Sequence, residues 1–280
     1  MSVDAIPRYG PSALGGGVRR FVELTMVLAR TEFKLRYFGS VLGYVWSLMR
    51  PLLFFGVLYL FFTQIVDVGK GVPHYGVYLL TGIVLWTYLA EATANSVTCL
   101  VQREALVRKI RFPRMVIPLS VSLTATFNLG MNFIAVIVFA LVSGITPRVA
   151  WLEMIPIVAL FVVLATGIGM LLSALYVRFR DFKPIWDVLL QVWFYASPVM
   201  YVASRYEEFA KGFQHVAMAN PIATLLTWMG HAFIDPTTFP SAVAVGGVIP
   251  VLVALLTILA VFGIGWLVFT REAPLVAENL

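Results

Sequence analysis

Residues 248–269 read VIPVLVALLTILAVFGIGWLVF, 22 positions without one charged side chain. As an α-helix at 1.5 Å per residue this stretch is about 33 Å long, enough to cross the roughly 30 Å hydrocarbon core of a bilayer. A helix on the surface of a soluble domain keeps a polar face toward water, and this one has none. It reads as a membrane span, and it fixes the solvent in which the rest of the chain has to be read.

Working outward, five further apolar runs cover residues 44–66, 75–99, 115–143, 151–177 and 184–201. The whole chain agrees with them: 60% of its 280 residues are hydrophobic and 12% charged, with mean hydropathy +0.91, against about half apolar and about a quarter charged in soluble domains. The expected fold is an all-α membrane protein of six transmembrane helices. The fifth run is the shortest and carries Pro198, so it is expected to bend or stop early. Between the fifth and sixth runs, residues 202–247 hold the apolar stretch 216–233, interrupted by Asn220 and Pro221. It is expected to form an external helical hairpin, re-entrant or lying on the surface, because a seventh span would put Arg271 outside.

The net charge of +6 would suggest nucleic acid in a soluble chain. Here the basic residues lie between apolar runs, where they orient the chain and leave no nucleic-acid partner to expect. Fifteen of them fall in the N-terminal segment, the second-to-third and fourth-to-fifth connections and the C-terminal tail; four, Lys70, Arg148, Arg205 and Lys211, fall on the opposite side. Both termini are therefore expected in the cytoplasm. The first 40 residues hold no apolar core with a small-residue cleavage site, so the N-terminal segment is expected to be retained. Residues 18–37 are amphipathic: Arg19, Arg20, Glu23, Arg30 and Lys34 share one arc and apolar residues the other, with Val27, Glu32 and Arg36 out of pattern. Such a helix is expected to lie in the cytoplasmic interface of the membrane, in contact with lipid.

Chemistry-bearing constellations are absent from the sequence. His74, His215 and His231 lack metal-ligand spacing, the lone Cys99 reads as a small packing residue, and there is no GxxxxGK[ST] phosphate loop. Three ionisable residues fall within or at the edge of apolar runs, Arg50, Glu91 and Asp187. Arg50 lies about 10 Å into its helix and Glu91 about 15 Å above the cytoplasmic end of the next, so a pair between them is geometrically open. Arg50 snorkelling to lipid phosphate is the alternative. Aromatic residues crowd the first and fifth runs. Phe55, Tyr59 and Phe62 share a helix face and, with Trp193, Tyr195 and Tyr201, are candidates to line a channel, since such rings offer sugars an apolar surface and a hydrogen-bonding tip. Ordinary packing and interfacial belts account for the same residues equally well.

Four segments taken together resemble the type-2 ATP-binding-cassette exporter permeases for O-antigen, capsule and teichoic-acid polymers. They are FKLRYFGSVLG at 33–43 leading into Trp46 and Arg50-Pro51-Leu52, LVRKIRFPR at 106–114, RFRDFK at 178–183, and Gln191 with SPVMY at 197–201 and Asn220-Pro221. The resemblance implies residues 1–43 as a cytoplasmic N-terminus with an interface helix and 44–280 as a six-span permease domain. Within that domain it implies a coupling segment at 100–114 and an external hairpin at 202–247. It further implies a pair of identical permeases, a lipid-linked polysaccharide as substrate, and a separate ATPase subunit that binds ATP and Mg2+, with no cofactor in this chain. The coupling segment then presents Arg103, Arg108, Lys109, Arg111, Phe112, Pro113 and Arg114 to the ATPase, where the cations can meet carboxylates and the Phe-Pro corner can seat in a pocket. Arg178, Arg180 and Asp181 form the second cytoplasmic loop. Two rivals are a drug or small-molecule exporter of the same superfamily and a membrane-embedded transferase, the latter lacking the paired acids it would need. Since the sequence holds no phosphate loop, the purified chain alone is expected to release no phosphate from ATP; hydrolysis above the buffer blank in a coupled assay would contradict this.

Overall fold

The computed structural model describes residues 17–37, 41–67, 69, 71–105, 113–206 and 212–273, and among them every regular element is helical. In chain order these are α1 (Val18–Tyr37), α2 (Val41–Leu60) running on through a π-helical turn (Phe61–Ile65), α3 (Tyr75–Gln102) and α4 (Val116–Val142). Next come α5 (Met154–Arg178), led in by a 3-10 turn (Val149–Glu153), α6 (Phe182–Ala196) and α7 (Phe213–Met218). Last are α8 (Pro221–Met229), extended by a second π turn (Gly230–Ile234), α9 (Ala242–Gly246) and α10 (Val248–Glu272).

Five helices are long and apolar enough to cross a membrane: Trp46–Ile65, Tyr75–Gln102, Val116–Val142, Val149–Arg178 and Val248–Glu272. The remaining expected span differs. Helix α6 has 15 residues, about 22 Å, and falls short of the hydrocarbon thickness of about 30 Å. It ends because Ser197 precedes a proline, which pushes it out of the helical region to φ −107°, ψ 148°. The stretch around Asn220-Pro221 is not laid on the surface. Asn220 caps α8, its side chain accepting from the Ile222 N–H at 3.1 Å, with Pro221 in the first turn. The apolar helix that follows is buried along nearly its whole length, against α5 and α10.

Helix α3 is the central post, packed on α2, α4, α5 and α6 and buried from Tyr75 to Leu100 on most of its faces. Apolar side chains gain nothing by leaving lipid for one another, so close backbone approach and interhelical hydrogen bonds have to hold such a bundle. Both are present. A methyl group added at Gly169 of α5 would lie 2.7 Å from Ser96 Oγ on α3, and one at Gly265 of α10 would lie 2.2 Å from the Gly167 carbonyl oxygen on α5. Ser122 and Thr166 join α4 to α5 at 2.7 Å, and the Trp186 indole N–H donates to Thr93 at 3.0 Å to join α6 to α3. Cys99 is buried in this core and unpaired.

The turn after α6 is stitched onto α3 through its backbone. The Tyr75 hydroxyl donates to the Met200 carbonyl, and the Tyr78 hydroxyl donates to Pro198 with the Tyr201 carbonyl also in reach at 3.1 Å. Gly82 lets the strand pass, since a methyl group there would sit 2.9 Å from the Val199 carbonyl oxygen. At the same end Arg148 donates to the Ile234 carbonyl and lies 3.7 Å from Asp235. Hydrogen bonds from Thr237 and Thr238 hold the Asp235 carboxyl down at about 2, so it stays ionised at any physiological pH.

The α5–α10 contact gives a discriminating test. Gly265→Ala is expected to destabilise the detergent-solubilised protein by about 1–3 kcal/mol, as overpacking does. Gly263→Ala, two residues away and with nothing within 4 Å of the added methyl, is expected to leave the melting temperature unchanged. Equal melting temperatures for the two variants would rule the contact out.

Candidate functional site

The chain's charges gather at the end of the bundle where α3 stops and α4 begins. Of the residues assigned to the coupling segment, Arg108, Lys109, Arg111 and Phe112 lie outside the described residues. Those flanking them turn toward their own chain. Arg103 ends α3 and pairs with Glu32 of α1. Pro113 is buried, and Arg114, 6% exposed, donates to the Ala273 carbonyl at the end of α10, where a cation also meets the negative pole of the helix. In the connection between α5 and α6 Arg178 pairs with Glu272 at 3.4 Å, and Arg180 stands over the Tyr176 ring at 5.2 Å. Asp181 precedes α6 without capping it. These contacts tie the ends of α1, α3, α5 and α10 together.

Glu91, on α3, is held by two groups. Arg36 from the last turn of α1 forms an ion pair with it, and Asn128 of α4 donates to the same carboxylate oxygen at 2.7 Å. The pairing geometry therefore selects Arg36 rather than Arg50. The signal was present in the sequence: Glu32 and Arg36 break the amphipathic pattern of α1, they are four residues apart on one face, and that face lies against α3 and α4. Thr124 of α4 donates to the Ala29 carbonyl at 3.3 Å, and Phe33 meets Phe127 edge-on at 5.7 Å. Burial pushes the Glu32 carboxyl up, and the nearby Arg103 and Arg36 guanidiniums only partly counter it.

Arg50 is exposed and makes no ion pair or side-chain hydrogen bond among the described residues. It stands on the wall of a cavity of about 730 Å³ between α1, α2, α3 and α4, into which the Arg36–Glu91 pair also faces. Trp46 of α2 and Trp86 of α3 give it aromatic walls, while Asn95, Asn128 and Asn132 make it polar.

The candidate channel aromatics divide. Phe55 packs against Phe139 and Tyr59 at 5.5 Å each, Tyr59 stacks on Tyr75 at 6.4 Å, and Phe62 lies against the core. That face of α2 holds α2 to the bundle. Trp193 is half-buried, its indole N–H donating to Asn220 at 3.0 Å, while Asn220 donates to Ser197 at 3.0 Å. Two of the quoted motifs thus meet in one hydrogen-bonded cluster. The Tyr201 hydroxyl reaches the Tyr195 carbonyl at 3.2 Å, and Tyr195 itself is 67% exposed. Asp187 and Gln191 stand beside it: the three residues, at four-residue spacing on α6, are all exposed and lie within about 80° of the helix circumference, a grouping that the sequence reading did not make. Of the histidines singled out, His215 and His231 bond to the backbone carbonyls of Gly246 and Phe239. No group of metal-binding side chains occurs among the described residues.

A double-mutant cycle separates the two pairings. Arg36→Gln and Glu91→Gln are each expected to lower thermal stability and to couple by about 1 kcal/mol, as contacting charges do. Arg50→Gln and Glu91→Gln are expected to add. Additivity in the first cycle, measured by melting in detergent, would exclude the Arg36–Glu91 tie.

Comparison with known proteins places this geometry. Residues 23–234 match the family described as ABC-2 type transporter. Among curated proteins, an O-antigen export system permease protein RfbA from Klebsiella pneumoniae is 31% identical over 216 residues, covering 77% of this chain and 82% of the relative. A protein of the same name from Myxococcus xanthus is 30% identical over 206 residues, covering 73% and 77%. A bundle of five apolar spans with most of its charges at one end, matched across three-quarters of its length by these permeases, is a member of the ABC-2 type transporter family.

Proposed function

We propose that the chain is the permease subunit of an exporter that carries a lipid-linked polysaccharide from the cytoplasm across the cytoplasmic membrane, driven by a separate ATPase subunit that binds ATP and Mg2+. The relatives' names, O-antigen export system permease, supply the substrate class. The observation that carries a conduit reading is the exposed polar stripe on α6, Asp187, Gln191 and Tyr195. Polar and ionised side chains on a membrane helix do not face lipid; they face water or protein. A second copy of the chain set against α6 encloses that stripe and gives a passage with polar and aromatic walls.

In this reading α6 crosses the membrane together with the extended turn 197–201, giving six spans, and α8 re-enters from outside within the hairpin 202–247. Unwound backbone at that depth is supported because protein covers it. Both termini are cytoplasmic, and α1 lies along the inner interface. The segment 100–114 docks on the ATPase, with Arg103 and Arg114 bracing it from within while the cations between them meet the partner.

The test is export in cells that lack their own permease for a surface polysaccharide, supplied with the cognate ATPase. Gln191→Trp is expected to cut surface polymer by at least about tenfold, equivalent to 1.4 kcal/mol on the limiting step, at unchanged protein level. Val192→Trp, exposed on the apolar side of the same helix, is expected to export normally. Equal export by both variants would remove α6 from the conduit.

A further inference from the structure

The cavity beside Arg50 has a chemistry that the export reading leaves unused. Within it the one carboxylate, Glu91, is already neutralised by Arg36. What remains on the wall is a surplus of donors: the Arg50 guanidinium, the Asn95 amide and the indole N–H groups of Trp46 and Trp86, none of which has a side-chain hydrogen bond among the described residues. A cation without a counter-charge on a membrane helix calls for an anion, and a planar guanidinium matches the oxygens of phosphate better than any other side chain. The volume, about 730 Å³, lies within the roughly 300–1,000 Å³ typical of small-ligand sites.

The surface above Arg50 shows what kind of phosphate this is. Trp46, Arg50, Leu53, Val57 and Leu60 recur at spacings of four, three, four and three residues, so they share one face of α2. All five are exposed, Leu53 at 51%, Val57 at 67% and Leu60 at 61%. The face is polar and aromatic at its cytoplasmic end and apolar for the next three turns. Arg50 is nine residues beyond the start of α2 at Val41, about 14 Å along the axis, which places it near the boundary between headgroups and hydrocarbon when α1 lies in the interface.

We propose that this cavity binds the phosphate or diphosphate head of a membrane-borne amphiphile, with Arg50 and Asn95 on the phosphate oxygens and the hydrocarbon chain along Leu53, Val57 and Leu60. The assignment rests on the export reading only in identifying that amphiphile with the lipid carrier of the polysaccharide. The anion site itself rests on the geometry. Trp46, at the mouth, stands where the first sugar or the headgroup meets the interface.

The experiment uses the full-length chain in detergent, with farnesyl diphosphate, farnesol and inorganic diphosphate as probes and binding read by native mass spectrometry and by quenching of tryptophan fluorescence. Farnesyl diphosphate is expected to bind at least about tenfold more tightly than either other probe, as the sum of a charge-assisted head and a buried chain requires. Arg50→Gln is expected to weaken it by at least about tenfold, Asn95→Leu less, and Arg50→Lys to recover part of the loss. Arg50 is exposed, so a fold defect is not expected; should the Gln variant aggregate on gel filtration, Arg50→Lys and Asn95→Leu carry the test. Unchanged farnesyl diphosphate binding in the Arg50 and Asn95 variants would overturn the site, and inorganic diphosphate binding as tightly as the lipid would overturn its lipid character. Binding needs neither ATP nor export, so the two readings fail separately. Arg50-dependent binding in a chain that exports no polysaccharide brings down the export reading alone, and export at the wild-type level together with Arg50-independent binding brings down this site alone.

Discussion

An ionised carboxylate on the central helix of an apolar bundle has to find its counter-charge in the protein, and Glu91 finds Arg36 and Asn128. The rest of that end of the bundle follows from that requirement. The pair ties the last turn of α1 to α3, and Glu32, one turn earlier in α1, ties it to Arg103 at the end of α3. With α1 fixed at two points against α3 and α4, the chain enters α2 at a set place, and the gap left between α2 and this frame is the polar cavity. Removing one partner leaves the other charge without its counter-ion beside a polar cavity, a loss of about 1 kcal/mol for a partly exposed pair, and each pair helps to keep the next in register.

The membrane half is held differently. Lipid supplies no hydrophobic drive to bring helices together, and the contacts there are of close approach and of hydrogen bonds between hydroxyls, indoles and backbone carbonyls. Gly167 and Gly265 let α5 and α10 touch through their main chains, and Gly169 lets α5 lie against Ser96 of α3. Helices α2 and α6 stand apart from this tightly packed set. They keep broad exposed faces, and those faces carry the residues from which the functional reading is built.

How far the sequence revealed this depends on the kind of signal. Five spans were legible because charge-free runs long enough to cross a bilayer have few other readings, and the early stop of α6 followed from Pro198. The two motifs Ser197-Pro198 and Asn220-Pro221 were visible as punctuation, but their meeting through Asn220 and Trp193 was not, because helix periodicity carries no information about which loops touch. The partner of Glu91 was not legible: reckoning depth along straight spans kept Arg50 open as a partner and left out α1, whose end reaches the same level. The clue lay in Glu32 and Arg36 breaking an otherwise regular amphipathic pattern. Phe55, Tyr59 and Phe62 share one face, and packing against α3 and α4 claims it; Asp187, Gln191 and Tyr195 were each visible in the sequence, but their exposure as one stripe was not, because the sequence does not say which face of α6 the bundle leaves uncovered.

The unwound turn after α6 makes the chain's tolerance to substitution uneven. Helical backbone satisfies its own hydrogen bonds, so a span can exchange one apolar side chain for another with little consequence beyond packing. Residues 198–201 have no such insurance: the carbonyls of Pro198, Met200 and Tyr201 are met by the hydroxyls of Tyr75 and Tyr78, within the first turn of α3. At those two positions a single oxygen atom separates an acceptable residue from an unacceptable one, because phenylalanine fills the same space and leaves the carbonyls bare in a setting that penalises unsatisfied polar groups. That end of the bundle is thus the place where sequence drift is most constrained by chemistry rather than by shape.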